Sequence, residues 1–369
     1  MSAPIRRIAI NTGGGDAPGL NAVIRATVLA ALERGWECYG IRDGYNGILC
    51  PERYPDGGVL RLTAERVRGI AHLGGTMLGT TNRGNPLSFP TTLADGSVRE
   101  VDRSDELLAW FAREGIDALV AVGGDGSLTI ADALARKGLR VVGVPKTIDN
   151  DLDQTTTTFG FDTAVAFATE CVDRLHSTAE SHQRVMVVEV MGRYAGWIAL
   201  HTGIAGGAHA ILLPEIPYDL ERVAAAIACR ERAGHTYSIV VVAEGAQAAG
   251  GGRDVLAPAA GGHVERLGGA GEHVARELQA RTGKDARAVV LGHLLRGGSP
   301  SAFDRLAALR FGAAAVRALA AGQSGIMVSL AYPNMQYVAL SLVAGRMKGV
   351  PLDGDTVQTA RDLGICLGD

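Results

Sequence analysis

Nowhere in these 369 residues does an apolar run approach the ~18 residues that a membrane-spanning helix needs. A surplus of charge is missing too. Lys and Arg number 36 against 39 Asp and Glu, a net −3, so no strong field is available for nucleic acid or a membrane surface. Five cysteines (Cys38, Cys50, Cys171, Cys229, Cys366) are odd in number, with no CxxC pair. That excludes a disulfide frame or zinc site and predicts reduced, buried thiols. The strand-like RRIAI (6–10) begins almost at once and leaves no room for a signal peptide. There is no short internal repeat, no GK[ST] after the first glycine run and no GxGxxG. These absences predict a soluble cytoplasmic protein with neither nucleic-acid nor membrane partners.

Glycine, by contrast, is abundant at 50 residues, within a globular composition of 47% apolar and 20% charged residues. One pattern recurs: a short β-branched run, a Gly/Asp/Thr-rich turn, then a helical stretch. RRIAI leads into NTGGGDAPG, IDALVAV (116–122) into GGDGS, and RVVGV (140–144) into PKTIDNDL. RVMVVEV (184–190) leads into MGRYAG, SIVVVAEG (238–245) into a glycine-rich loop, and RAVVLGH (287–293) into LLRGGSPSAFDR. Continuous apolar strands of this kind are buried on both faces of a parallel sheet. Alternating β and α units predict an α/β fold of two Rossmann-like doubly wound domains, with ligands at the carboxyl ends of the strands. The helical stretch 161–183 bridges into the second domain, and 247–269 is the most linker-like segment.

The polar clusters all fall at such strand ends. In NTGGGDAPGLN (11–21), three adjacent glycines let backbone N–H groups approach a phosphate, although a tight turn alone would need two. In GGDGS (123–127), Gly124 and Gly126 admit phosphate close to the backbone and Ser127 can cap the helix. Asp125 fits Mg²⁺ held by one carboxylate and substrate phosphates. TIDND (147–151) offers Asp149 as a base for an alcohol's proton, with Asp151 near the metal or orienting the loop. Taken alone, that stretch is better accounted for by an Asx-turn. Arg193, His293 and Arg296 stand at two further strand ends; together they favour an anionic substrate over isolated surface salt bridges.

The series GGGDAPGLNAVIR, GGDGS, PKTIDND, GFDTA, ESHQR, VEVMGRYAGW, AEG and VLGHLLRGGSPSAFDR resembles the phosphofructokinase family in content and order, up to about residue 320. The resemblance implies a two-domain enzyme that phosphorylates the 1-hydroxyl of fructose 6-phosphate in an interdomain cleft. The donor domain would comprise 1–160 plus 296–345 and the sugar domain 161–295 plus 346–369. By motif, Gly15, Gly124, Asp125, Gly126 and Ser127 would surround the donor phosphates, with Asp125 on Mg²⁺. Asp149 would be the base, and Thr147 and Arg193 would hold the transferring group beside Lys146. Met191, Gly192, Glu244, His293 and Arg296 would bind the sugar phosphate. Arg184 and Arg287 would reach the 6-phosphate of a neighbouring subunit in a homodimer or homotetramer.

Departures from the family pattern bear on the donor. Bacterial ATP-dependent members read PGTIDND, where this chain has Lys146. Pyrophosphate-dependent members share that lysine but usually carry aspartate where Gly126 stands. A carboxylate there would repel the α-phosphate of a nucleotide, so Gly126 predicts ATP; the Gly126/Lys146 pair resembles the actinobacterial-like mixed-substrate branch. Asn82 replaces a usual arginine, which leaves Arg83 as either a donor contact or a surface charge. Arg25 matches an effector-site residue, but Leu29, His176, Ala233 and His235 replace the others, which predicts weak or absent control by ADP or phosphoenolpyruvate. A pyrophosphate-dependent phosphotransferase is the alternative within the family. A lipid or NAD kinase would keep GGDG without MGR and GHLLRGGSP. A sugar-phosphate-sensing paralogue would tend to lose Asp125, Asp149 and Asp151.

Overall fold

The computed structural model describes residues 4–92, 96–251, 255–257 and 266–369. The chain forms two compact units. The first is Met1–Thr147, Leu152–Gly160 and Arg296–Met347; the second is Ile148–Asp151, Phe161–Leu295 and Lys348–Asp369. Ile148–Asp151 thus falls in the second unit and residues 346–347 in the first, the reverse of the boundaries expected from sequence.

Among its described residues the first unit carries an eight-stranded sheet. Its order is Asn334–Ala339, Ile326–Ala331, Val141–Thr147, Ala118–Gly123, Arg7–Thr12, Glu37–Ile41 and Val59–Leu62, with Phe159–Gly160 paired beside Val141–Thr147. The five central strands run parallel, and the strands Val59–Leu62 and Asn334–Ala339 close the two ends antiparallel. The apolar runs expected at 6–10, 116–122 and 140–144 are three of the central strands and are almost wholly buried. Glu37–Ile41 and Ile326–Ala331 are the two that were not expected, and the closing strands have mixed, half-exposed sequences with no such signal. Strand Arg7–Thr12 lies between Glu37–Ile41 and Ala118–Gly123, so chain connections leave it in both directions. Such a switch point opens a crevice at the carboxyl ends of the strands. Leu20–Leu32 and Ala302–Ala320 cover one face, packed so closely that a Cβ on Gly312 would lie 2.6 Å from the Val23 carbonyl oxygen.

The second unit carries a four-stranded parallel sheet, Ala210–Leu212, Ser238–Ala243, Val185–Val190 and Ala286–Val290. Phe161–His182 is its long helix, and Leu220–Arg232 and Ala270–Thr282 pack over a core that includes Val187, Val223, Val242 and Val274. The doubly wound α/β expectation therefore holds. In the segment 247–269, Val255–Ala257 pairs antiparallel with Arg266–Leu267; 252–254 and 258–265 lie outside the described residues.

Three local expectations change. Strand Val141–Thr147 continues through Lys146 and Thr147, because Phe159 and Gly160 pair with them and extend the ladder past the predicted end at Val144. Helix Asp125–Arg136 begins at Asp125 with Gly124 as its cap, so Ser127 lies inside the first turn and does not cap it. All five cysteines are free, but only Cys38 and Cys50 are buried: Cys171 and Cys366 are half-buried, and Cys229 is exposed on the side of its helix away from the packed Val223, Ala224 and Ile227. Among the described residues no helix is long and apolar enough to cross a membrane.

Candidate functional site

Sheet register brings the first unit's loops together. Thr12 pairs with Val122 and Gly123 with Pro145, so GGGD, GGDGS and the Lys146–Thr147 strand end stand side by side. Backbone bonds tighten the group: Gly13 N–H donates to the Val122 carbonyl at 2.9 Å, and Gly14 N–H to that of Thr81 at 3.1 Å. The Thr80 hydroxyl donates to the Gly14 carbonyl at 2.6 Å, which lashes the GTTN loop to the first glycine loop. Sequence reasoning passed over Thr80, whose only signal was a place beside the noted Asn82.

The glycines here are required by proximity. A Cβ on Gly13 would lie 2.6 Å from Ser127 Oγ, and one on Gly123 2.3 Å from both Ser127 Cβ and Oγ. Ser127 is thus wedged between the two loops, with its helix N-terminus directed at the crevice they line. That arrangement suits a polyphosphate, because the first-turn N–H groups lack intrahelical acceptors and carry partial positive charge. Gly126 differs: a Cβ there would meet no heavy atom of the described residues within 4 Å outside its own helical turn. The fold does not demand glycine at that exposed position.

Lys146 is only 3% exposed, and its ammonium donates to the Gly15 carbonyl. It therefore supports the glycine loop from behind. Arg296, expected among the sugar ligands, lies on the 3₁₀ turn Gly292–Arg296 and donates from Nη1 to the Asp16 carbonyl at 3.2 Å. A Cβ on Gly15 would stand 2.8 Å from that same nitrogen, so Arg296 closes over the first loop. Asn82 Oδ1 borders Gly14, while Arg83 is exposed. Asp125 Oδ1 accepts the Gly345 N–H at 2.8 Å, and Oδ2 is the arm available to a cation. Among the described residues no three His, Cys, Asp or Glu side chains form a metal cluster. One carboxylate beside two phosphate-suited loops fits Mg²⁺, which takes one or two carboxylates and completes its shell with phosphate oxygens and water.

The second unit repeats the logic. Val190 pairs with Ala243, and Glu189 with both Val242 and Val290. The segments holding Met191, Gly192, Arg193, Glu244 and His293 therefore emerge at one end of the sheet. Glu244 N–H donates to the Val190 carbonyl at 2.9 Å and Gly245 N–H to that of Gly192 at 3.1 Å. Gly245 allows that approach: its Cβ would lie 2.1 Å from the Arg193 carbonyl oxygen. The buried Glu189 carboxylate accepts the Gly271 N–H at 2.8 Å, tying down the start of helix Ala270–Thr282. Asp149 and Asp151 belong to this unit and are half-buried. Arg184 sits at the opposite end of strand Val185–Val190, where Asp285 accepts from both Arg184 Nε and Arg287 Nη1 at 2.5 Å. Asp285 was unremarked in the sequence because nothing local says that it faces two arginines.

A family model described as Phosphofructokinase matches residues 7–319. Over 372 residues the chain is 49% identical to the ATP-dependent 6-phosphofructokinase of Chloroflexus aggregans, covering 100% of this chain and 99% of that protein. It is 48% identical over 350 residues to the pyrophosphate–fructose 6-phosphate 1-phosphotransferase of Amycolatopsis mediterranei, covering 94% and 97%. The solved structure of phosphofructokinase from Saccharomyces cerevisiae superposes with a TM-score of 0.74 at 29% identity, covering 91% of this chain. This chain spans 45% of that yeast chain.

Proposed function

Because the chain belongs to the phosphofructokinase family, we propose that it is an ATP-dependent 6-phosphofructokinase, moving the γ-phosphate of ATP to the 1-hydroxyl of fructose 6-phosphate. The first unit takes the donor. Gly15, Gly124, Gly126, Ser127 and the N-terminus of helix Asp125–Arg136 hold the phosphates, while Gly13 and Gly14 spend their N–H groups on the Val122 and Thr81 carbonyls and shape the loop. Lys146 adds fixed positive charge behind Gly15. Mg²⁺, held by Asp125, offsets phosphate charge when bound.

Asp149 accepts the hydroxyl proton, which makes the sugar oxygen nucleophilic, and Asp151 orients the loop. Thr147 and Arg193 hold the transferring group, where a guanidinium matches the charge on the equatorial oxygens. Met191, Gly192, Glu244, His293 and Arg296 bind the sugar phosphate. Arg184 and Arg287, both held by Asp285 at the far end of the sheet, serve a neighbouring subunit in a homodimer or homotetramer. The reaction belongs to glycolysis in the cytoplasm.

The observation that carries the ATP reading is Gly126: space is open where a side chain would be tolerated, so its absence serves the ligand. Lys146 supports the second reading, a pyrophosphate donor. Steady-state assays with fructose 6-phosphate and Mg²⁺ decide between them. ATP should support turnover well above pyrophosphate, and turnover with pyrophosphate alone would overturn the reading. Weak effector control is supported by His176, whose ring bonds inward to Tyr237 Oη and the Gly206 carbonyl, and by Arg25, which donates to the Val67 carbonyl at 2.8 Å. A clear ADP-induced change in sugar cooperativity would contradict it.

A further inference from the structure

Asn150 stands between the two carboxylates of the TIDND loop with a left-handed backbone, φ 51°, and is 4% exposed. Asparagine adopts that conformation more readily than other non-glycine residues when its side chain has a local or tertiary partner to hold it. Lys348, 198 positions away, is one of the groups that hold Asn150. Its ammonium donates to Asn150 Oδ1 at 3.3 Å, and its backbone N–H donates to the Asp151 carbonyl at 2.7 Å.

Lys348 is itself gripped. The Trp197 indole N–H donates to the Lys348 carbonyl at 3.0 Å, and the ammonium lies 5.4 Å from the Trp197 ring centroid, within cation–π range. Two residues on, Val350 N–H donates to Glu215 Oε1 at 2.8 Å. The same carboxylate accepts the Gly196 N–H at 3.0 and 3.1 Å, where the turn carrying Arg193 enters its helix. One short strap, 348–350, thus fastens both the Asp149 loop and the Arg193 turn, and every group named belongs to the second unit.

We propose that Lys348 is a positioning residue for phosphoryl transfer: it locks Asn150 in its left-handed conformation and so aims Asp149 at the sugar hydroxyl. The inference rests on the reading of Asp149 as the base. A loop misaimed by about 1 Å can cost on the order of a hundredfold in rate while leaving sugar binding intact, so the effect belongs in kcat. The backbone bonds of residue 348 survive any side-chain change, which separates the ammonium's role from that of the strap.

The test is steady-state kinetics on Lys348→Met, Lys348→Arg, Asn150→Gly and the Lys348→Met/Asn150→Gly double variant, with Asp149→Asn as reference. Lys348→Met should lose roughly ten- to a hundredfold in kcat with KM for fructose 6-phosphate nearly unchanged. Lys348→Arg, which keeps the donor and the ring contact, should recover most of the loss. In the double variant the two losses should not add, because glycine accepts positive φ without a side-chain partner and leaves the lysine nothing to lock. Wild-type kcat in Lys348→Met, or losses that add in full, overturns the proposal. Wild-type turnover in Asp149→Asn instead removes the base assignment beneath it. If Lys348→Met does not fold, Lys348→Gln carries the same comparison.

Discussion

Asp125 Oδ1 accepts the backbone N–H of Gly345 at 2.8 Å, across 220 positions of sequence. The carboxylate at the start of the second glycine loop is therefore held from a distant segment by one oxygen, with the other left for a cation. Asp125→Asn keeps an acceptor for Gly345 and removes the charge. Thermal stability should stay near wild type while kcat/KM falls about 100-fold or more and the Mg²⁺ concentration for half-activation rises. Unchanged Mg²⁺ dependence in a folded variant would remove Asp125 from the metal.

Gly126→Asp tests the donor pocket. Its Cβ meets no described heavy atom within 4 Å outside its own turn, so the fold should be unaffected. A carboxylate about 5 Å from a phosphate charge, at an effective dielectric of about 20, costs roughly 3 kcal/mol, or about a hundredfold in ATP affinity. Titration of ATP against the variant should show that loss, with pyrophosphate use affected far less. Equal losses for both donors would mean that position 126 does not discriminate.

Gly123→Ala drives a methyl group to 2.3 Å from Ser127 Cβ and Oγ. Overpacking of this kind costs about 1–3 kcal/mol, so Tm should fall and donor KM should rise. Adding Ser127→Gly removes the clash and should restore part of the Tm, but not the donor affinity, since the Ser127 hydroxyl is lost with it. Full recovery of KM in the double variant would show that Ser127 has no part in holding the donor.

Burial pushes the His209 imidazole down to about 4, with Arg230, His176 and His235 adding repulsion. Its Nδ1 accepts the Ile239 N–H at 2.8 Å, a bond that needs the neutral ring. The unfolded chain titrates near 6.5, so below that pH it takes a proton that the native state refuses. Stability should fall as the pH drops from about 6.5 towards 4 and recover as it rises. His209→Gln retains an acceptor without titrating, and should flatten the slope of Tm against pH in that window while leaving turnover at neutral pH unchanged. An identical slope would show that other groups govern the acid limb.

What was legible beforehand was chemistry written locally. Buried parallel strands are continuous apolar runs, and phosphate loops are glycines placed directly after them. Three of the five central strands of the first sheet, three of the four of the second, GGGD, GGDGS and MGR are therefore visible in a one-dimensional reading, whereas Glu37–Ile41, Ile326–Ala331 and the three-residue Ala210–Leu212 are not. The strands Val59–Leu62 and Asn334–Ala339 were not, because half-exposed antiparallel strands carry mixed sequences. The strand through Lys146 and Thr147 was also cut short, since its extension depends on pairing with Phe159 and Gly160.

By itself, then, the sequence determined the α/β class, the two phosphate-suited loops and the acidic and arginine residues at the strand ends. Only the tertiary structure decided what holds them. Lys146 bonds behind Gly15, Arg296 closes over the same loop, Gly345 fixes Asp125, and Lys348 with Glu215 straps the Asp149 loop to the Arg193 turn. These partners come from segments as far as 280 positions apart. A lysine, a glycine or a glutamate has no periodicity or neighbouring motif that announces such a contact. It exists because sheet register and the returning path of the chain bring the two segments within hydrogen-bond reach.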